Sequence, residues 1–178
     1  MTTFSSTIYV DAPKDAVWTI LADLGGIQKF HPGVRKSYYT TEQREDVGAA
    51  RVCELLPMGA IEEKAVEWQE GEHYVLTIDP LEKAPPFKQA FGRLAAQEEG
   101  AGTRVMMTLD YNLKFGPLGS LIDVLMVRPQ MRKVIPNVLL GLKHYAETGE
   151  EVTPEVIRKV RRTLAQPPQP AQRQLSPA

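Results

Sequence analysis

Apolar and polar residues follow two different periods along this chain, and the places where the period changes divide it. Residues 4–11, FSSTIYVD, are rich in β-branched and aromatic side chains and stop at Ala12-Pro13, the pattern of a strand running into a turn. Pro13 then opens a helix with Asp11 or Ala12 at its cap. Val17, Ile20, Leu21 and Leu24 recur at i, i+3, i+4 and i+7 as one apolar stripe, and the helix is predicted to end at Gly25-Gly26. The IQKFHPG that follows has room for one short helical turn, because Pro32 disfavours helical geometry at His31 and Gly33 closes the segment.

From Val34 to Leu113 no 3.6-residue period is sustained. The pattern predicts strands at Val34 to Thr41, Ala50 to Leu56, Ala60 to Glu70, His73 to Pro80, Phe87 to Glu98 and Thr103 to Lys114, joined by EDVGA, PMG, EG, EKAPP and EGAG. With the first strand this makes a seven-stranded antiparallel meander. Beyond Gly116-Pro117 the helical period returns. Leu118, Leu121, Ile122 and Leu125 share one face, and Met131, Ile135, Val138, Leu142 and Tyr145 continue it. Pro129 and Pro136 each remove a backbone donor, so a kink or break is expected near one of them, with Gly149 as C-cap.

TPEVIRKVRRTLA then offers a threonine cap, a proline in the first turn and a short stripe of Val156, Val160 and Leu164, predicting a short basic helix over about 154–165. The final QPPQPAQRQLSPA has almost nothing to bury and reads as disordered. The expected organisation is one domain over 1–149 and an extension over 150–178, solvated and not docked, since an isolated helix of that length is marginal in water.

The hydrophobic fraction of 43% and charged fraction of 24% over 178 residues fit a globular chain that folds by packing. A formal charge of -1 gives no field that would favour nucleic acid. The single cysteine, Cys53, rules out an internal disulfide, and the N-terminus lacks the basic and apolar regions of a secretion signal, so a cytoplasmic location is expected. No run of apolar residues is long enough for an integral membrane segment. Three scattered histidines give no metal-ligand spacing, and no GxSxG, Walker loop or GxGxxG occurs, so neither a metal nor another cofactor is expected.

The opening TIYVDAPKDAVWTILADLGGIQKFHPGV, the middle GAARVCEL and GAIEEKAVEWQEGEHYVLTI, and the late GTRVMMTLDY and LLGLKHYAE together resemble the polyketide cyclase/dehydrase branch of the START-like (SRPBCC) superfamily, over roughly residues 4–147. The resemblance implies an α+β helix-grip fold: a seven-stranded antiparallel sheet curled around a long C-terminal helix, with two short helices after the first strand. Members of that branch bind lipids, steroids or other apolar molecules, and some cyclise or dehydrate polyketides, so the fold alone does not decide between the two.

A sheet curled over one helix leaves a concavity that the helix cannot fill, and strand alternation nominates its polar groups. Pairing across PMG is expected to set Arg51 opposite Ala65, Cys53 opposite Glu63 and Leu55 opposite Ile61. Arg51 and Glu63 then share the inward face as diagonal neighbours, either as a structural ion pair or as ligand contacts. Val105, Met107, Leu109, Tyr111 and Leu113 are assigned inward, as are Tyr74, Leu76 and Ile78. Tyr74 and Tyr111 are candidate hydrogen-bond donors to a ligand, and Met107, Met126 and Met131 candidate adaptable lining.

His31, on a loop before proline, is a candidate at the cavity mouth and, with Glu63, a candidate acid/base. His73 and His144 are expected at the surface, and Trp18 and Trp68 as packing residues set beside the inward faces. The candidate ligand-binding set is therefore His31, Arg51, Glu63, Tyr74, Met107 and Tyr111. Three functions remain open: a binding module for a small hydrophobic or amphipathic molecule, a cyclase/dehydratase-type enzyme, and an interaction protein acting through the basic C-terminal helix. The chain is expected to be a monomer or homodimer.

Overall fold

The computed structural model describes residues 1–57, 59–84 and 86–165. The expected strands form within a residue or two of their expected ends: β1 Thr2–Val10, β2 Val34–Tyr39, β3 Ala50–Leu55, β4 Ala60–Gln69, β5 His73–Pro80, β6 Phe87–Glu99 and β7 Gly102–Leu113. They build one antiparallel sheet in the order β1-β7-β6-β5-β4-β3-β2, in which chain neighbours pair except that β1 lies against β7. Bulges interrupt the ladder between Val34 and Lys36, between Ala65 and Glu67, and between Phe87 and Gln89. Each bulge bends its strand and adds twist, which curls the sheet.

The bulge after Ala65 also corrects the placement of Trp68. It shifts the alternation by one residue and turns Trp68 onto the concave side, where its ring stacks on Tyr74 with centroids 5.2 Å apart and meets Trp18 edge-on at 5.7 Å. Both tryptophans are packing residues, as expected. The Glu70 carboxylate accepts from both indole N–H groups, at 2.7 Å from Trp18 and 2.8 Å from Trp68, so neither ring carries an unmet donor into the packing.

Helix α1, Lys14–Ala22, starts one residue after Pro13, which occupies the cap position expected for Asp11 or Ala12. It stops before Gly25-Gly26 because a 3-10 segment, Leu24–Lys29, takes over, capped by Asp23 accepting from the Gly26 amide at 3.1 Å. Val17, Leu21 and Leu24 are buried as one stripe, with Ile20 half-buried beside them.

The long C-terminal helix has three parts: α2 Gly116–Ile122, a π-helical stretch Asp123–Val127, and α3 Arg128–Thr148. The break therefore falls at Pro129 and not at Pro136, which sits inside α3. The ladder runs on from the π stretch through the Arg128 amide, which donates to the Asp123 carbonyl, and Pro129 has no N–H to continue it; the wider π turn before it relieves the crowding its ring would cause. Only α3 grips the sheet. Leu118, Leu121, Leu125 and Met126 are exposed, against the expectation of a single buried stripe, while Met131, Ile135, Val138 and Leu142 are buried.

Helix α4, Pro154–Ala165, corrects the solvated reading of the extension. Thr153 caps it, accepting from the Val156 amide at 3.3 Å. The Val152 amide donates to the Lys29 carbonyl at 2.8 Å, and Val152 and Ile157, the latter 4% exposed, bury against Leu140 of α3. Of the expected stripe, Val156 and Val160 are half-buried and Leu164 is exposed, so Ile157 carries the docking. The Pro/Gln-rich end expected to be disordered lies outside the described residues. His73 and His144 are half-buried, not surface groups: the Nε2 atoms lie 2.6 Å from Glu67 Oε1 and 3.0 Å from Glu150 Oε2. No helix among the described residues is long and apolar enough to cross a membrane.

Candidate functional site

A cavity of about 670 Å³ lies between the concave face of the sheet and α3. Its apolar wall comes from alternate inward positions of the strands, among them Ile61, Ile78, Phe87, Met107 and Leu109, and from Met131, Val134 and Ile135 on one face of α3. Loops close the same end of the sheet: His31, Pro32 and Gly33 before β2, Leu56 and Pro57 in the β3–β4 turn, and Lys83 and Ala84 between β5 and β6. Pro154, Ile157, Arg158 and Arg161 of α4, spaced so that they share one helical face, complete the lining.

At the inner wall stands a buried ion pair. Arg51 lies directly opposite Glu63, and Cys53 opposite Ile61, a correction of two positions to the expected register. The turn is centred one residue earlier than a PMG turn, with the Leu55 amide donating to the Gly59 carbonyl at 2.8 Å. A slip of two keeps every side chain on its expected face. Arg51 Nε donates to Glu63 Oε2 at 2.7 Å, and its guanidinium also donates to the Leu24 carbonyl presented by the 3-10 segment.

Arg51 is 2% exposed and Glu63 8%. Burial works against the charge on Arg51, but the adjacent Glu63 carboxylate more than offsets it and holds the guanidinium above its ordinary range. Cys53 Sγ lies 3.4 Å from Glu63 Oε2, and burial, reinforced by that carboxylate, pushes its thiol up to about 12. Cys53 is therefore a protonated donor to Glu63 and no thiolate nucleophile at neutral pH.

His31 lines the cavity as expected, but with a different protonation. Burial pushes it down to about 4, with the Arg51 charge adding to the effect and Glu63 opposing it. The ring is neutral at pH 7. Its Nδ1 accepts from the Gly33 amide at 3.0 Å, so the proton of the neutral ring resides on Nε2. His31 offers the cavity a hydrogen-bond donor and does not change charge near neutral pH.

Of the other candidates, Met107 and Met131 line the cavity, whereas Met126 is exposed. Arg51 stands behind Glu63 and does not reach the lining. Tyr74 points inward but is covered by Trp18 and Trp68. Tyr111 is also inward and buried, yet its hydroxyl donates to Asp123 Oδ1 at 2.5 Å. Burial works against the charge of that aspartate, but Tyr111, Arg128 and Thr2 donate to it and hold its carboxyl below the usual range. The two tyrosines are thus taken out of the proposed contact set by packing and by an internal acceptor. The cavity gathers His31, Glu63 and Met107, and adds Lys83, Asn137, Arg158 and Arg161, which the sequence reading did not select. Among the described residues no group of three or more His, Cys, Asp or Glu is placed to hold a metal ion.

The sequence profile of the family described as "Polyketide cyclase / dehydrase and lipid transport" matches residues 1–147. No curated protein matches the chain in sequence. Similar solved structures include a protein from Thermus thermophilus, with 21% identity, a TM-score of 0.64, and 82% of this chain and 97% of that one covered. A START superfamily protein from Mycobacterium smegmatis matches with 14% identity, a TM-score of 0.66, and 82% and 97% covered. The Zhui aromatase/cyclase from a Streptomyces species matches with 18% identity, a TM-score of 0.60, and 85% and 99% covered. At these identities the likeness is one of fold.

Proposed function

This chain belongs to the polyketide cyclase/dehydrase and lipid-transport family, and on that footing we propose that it binds a small hydrophobic or amphipathic molecule in the cavity between the sheet and α3. The observation that carries the reading is the cavity itself: about 670 Å³, walled mainly by aliphatic and aromatic side chains, with polar groups confined to a few points. Pockets of that volume and lining suit a ligand of drug-like or single-lipid size. Glu63, held by Arg51, and the Nε2 proton of His31 supply an acceptor and a donor on the wall, enough to orient one polar group of an otherwise apolar molecule.

Binding is favoured over cyclisation or dehydration by the state of the same groups. A proton shuttle works best with a group that titrates near the working pH. His31 is neutral well below pH 7, Cys53 stays protonated well above it, and Glu63 is committed to Arg51. The reading is tested by native mass spectrometry of freshly purified protein with extraction of any retained molecule, and by titration with the neutral fluorophore N-phenyl-1-naphthylamine. Saturable fluorophore binding that Met107→Trp weakens is expected. No retained molecule, together with fluorophore binding that Met107→Trp leaves unchanged, would refute it.

A further inference from the structure

Helix α4 lies beyond the part of the chain that matches the family, yet it turns Ile157, Arg158 and Arg161 to the cavity. It is held there firmly, through buried Val152 and Ile157 and the amide bond from Val152 to Lys29. Among the described residues the titratable groups that line the cavity are unevenly divided: Lys83, Arg158 and Arg161 are positive, His31 is neutral, and Glu63 is the one acid and is paired with Arg51. Arg158 shares its charge with Glu155 at 2.6 Å, an exposed pair of small worth, and Arg161 has no ion pair among the described residues.

A second observation comes from the facing helix. Asn137 of α3 lines the same cavity, and its Oδ1 is buried without a hydrogen-bond partner among the described residues. With no exposure even to the cavity, Oδ1 is turned away from it, which leaves the Nδ2 end of the same amide towards the cavity, where it can donate to an anionic oxygen.

We infer that the cavity mouth between α3 and α4 binds the anionic headgroup of a single-chain amphiphile, recognised by Asn137, Arg158 and Arg161, with the chain laid along the apolar wall. The inference rests on the ligand-binding reading above and adds the chemistry of the ligand's polar end. Cations at the rim of a low-dielectric cavity attract an anion more strongly than the same side chains on an open surface. An apolar interior with one cationic end discriminates against neutral and cationic amphiphiles of equal chain length.

The test uses the full chain and N-phenyl-1-naphthylamine at low ionic strength, displaced in turn by dodecanoate, dodecyl phosphate and dodecanol. One of the two anions is expected to displace the probe at about tenfold lower concentration than dodecanol, and which one it is assigns the headgroup as carboxylate or phosphate. The double variant Arg158→Gln/Arg161→Gln is expected to lose that advantage, the anion then displacing the probe at a concentration within about twofold of dodecanol's on the same variant. Glu155→Gln, which frees Arg158, should increase the advantage and serves as an independent check. Probe binding with no anion better than dodecanol, or an advantage that survives in the double variant, would overturn the inference and leave the cavity reading standing. Failure of the probe to bind wild type at all would overturn both.

Discussion

The Arg51–Glu63 pair can be broken from either side, and the two breaks should not cost the same. Glu63→Leu leaves a guanidinium that is 2% exposed and cannot give up its proton, with the Leu24 carbonyl as its remaining partner. A buried charge stripped of its counter-ion costs roughly 3–5 kcal/mol. Arg51→Met leaves a carboxylate on the cavity wall, and a carboxylate has an escape, since it can take up a proton. For a glutamate of ordinary acidity, neutralisation at pH 7 costs about 3.7 kcal/mol, and at pH 5 about 1 kcal/mol.

The penalty of Arg51→Met should therefore shrink as the pH falls from 7 to 5, while that of Glu63→Leu stays constant. The sign follows from proton binding: in the Arg51 variant the folded state holds a proton that the unfolded chain has released, so stability declines as pH rises. Urea unfolding of both single variants and the double variant at the two pH values measures this. The double variant should recover at least about 2 kcal/mol relative to the sum of the singles. Strict additivity, or equal pH slopes for the two single variants, would refute the argument that they form a buried, mutually dependent pair.

His31 adds a second pH signature: its folded value of about 4 lies below the ordinary 6.5, so stability present above pH 6.5 is lost as the pH falls towards 4. That loss, on the order of 3 kcal/mol, should be absent in His31→Gln when unfolding is compared at pH 7 and 4.5. Met107→Trp should alter probe affinity and move the melting temperature by only a few degrees, because the cavity absorbs the added atoms. Tyr111→Trp should cost roughly 1–3 kcal/mol through overpacking, plus the bond to Asp123, and leave probe affinity intact. Deleting residues from 150 onward should destabilise by roughly 3–5 kcal/mol, the value of two buried aliphatic side chains, since it removes Val152 and Ile157 from Leu140. A truncated protein that melts with wild type would show that α4 does not dock.

Most of the sheet was legible because its signals are local. Each strand carries its own alternation and each joint its own turn residues, so the ends fall within a residue or two. Parity also placed Glu63 and Met107 on the concave side, and survived an error of two in the β3–β4 register because a slip of two conserves the face. Parity says nothing about position along the strand, however. Tyr74 and Tyr111 share the inward faces of their strands with cavity residues Ile78 and Leu109, yet one lies under two indoles and the other has Asp123 as acceptor. Which part of a face is cavity and which is packed depends on the path of the helices across it, a non-local fact.

The extension shows the same limit from the other side. Taken alone, TPEVIRKVRRTLA is a short, highly charged helix with too few apolar residues to hold itself in water. What holds it is on α3: a glycine, Gly141, inside a helix where it costs about 1 kcal/mol relative to alanine. A Cβ at that position would collide with the Phe30 carbonyl oxygen and press on Val152 Cγ1 at 3.3 Å. The missing side chain lets the loop of His31 and the segment 150–153 before α4 close onto α3 together, which is how Ile157 reaches Leu140 and how Arg158 and Arg161 reach the cavity. A glycine in the middle of an otherwise regular apolar helix is thus the sequence signal that another chain segment crosses there, and the one feature from which the docking of α4 was open to inference.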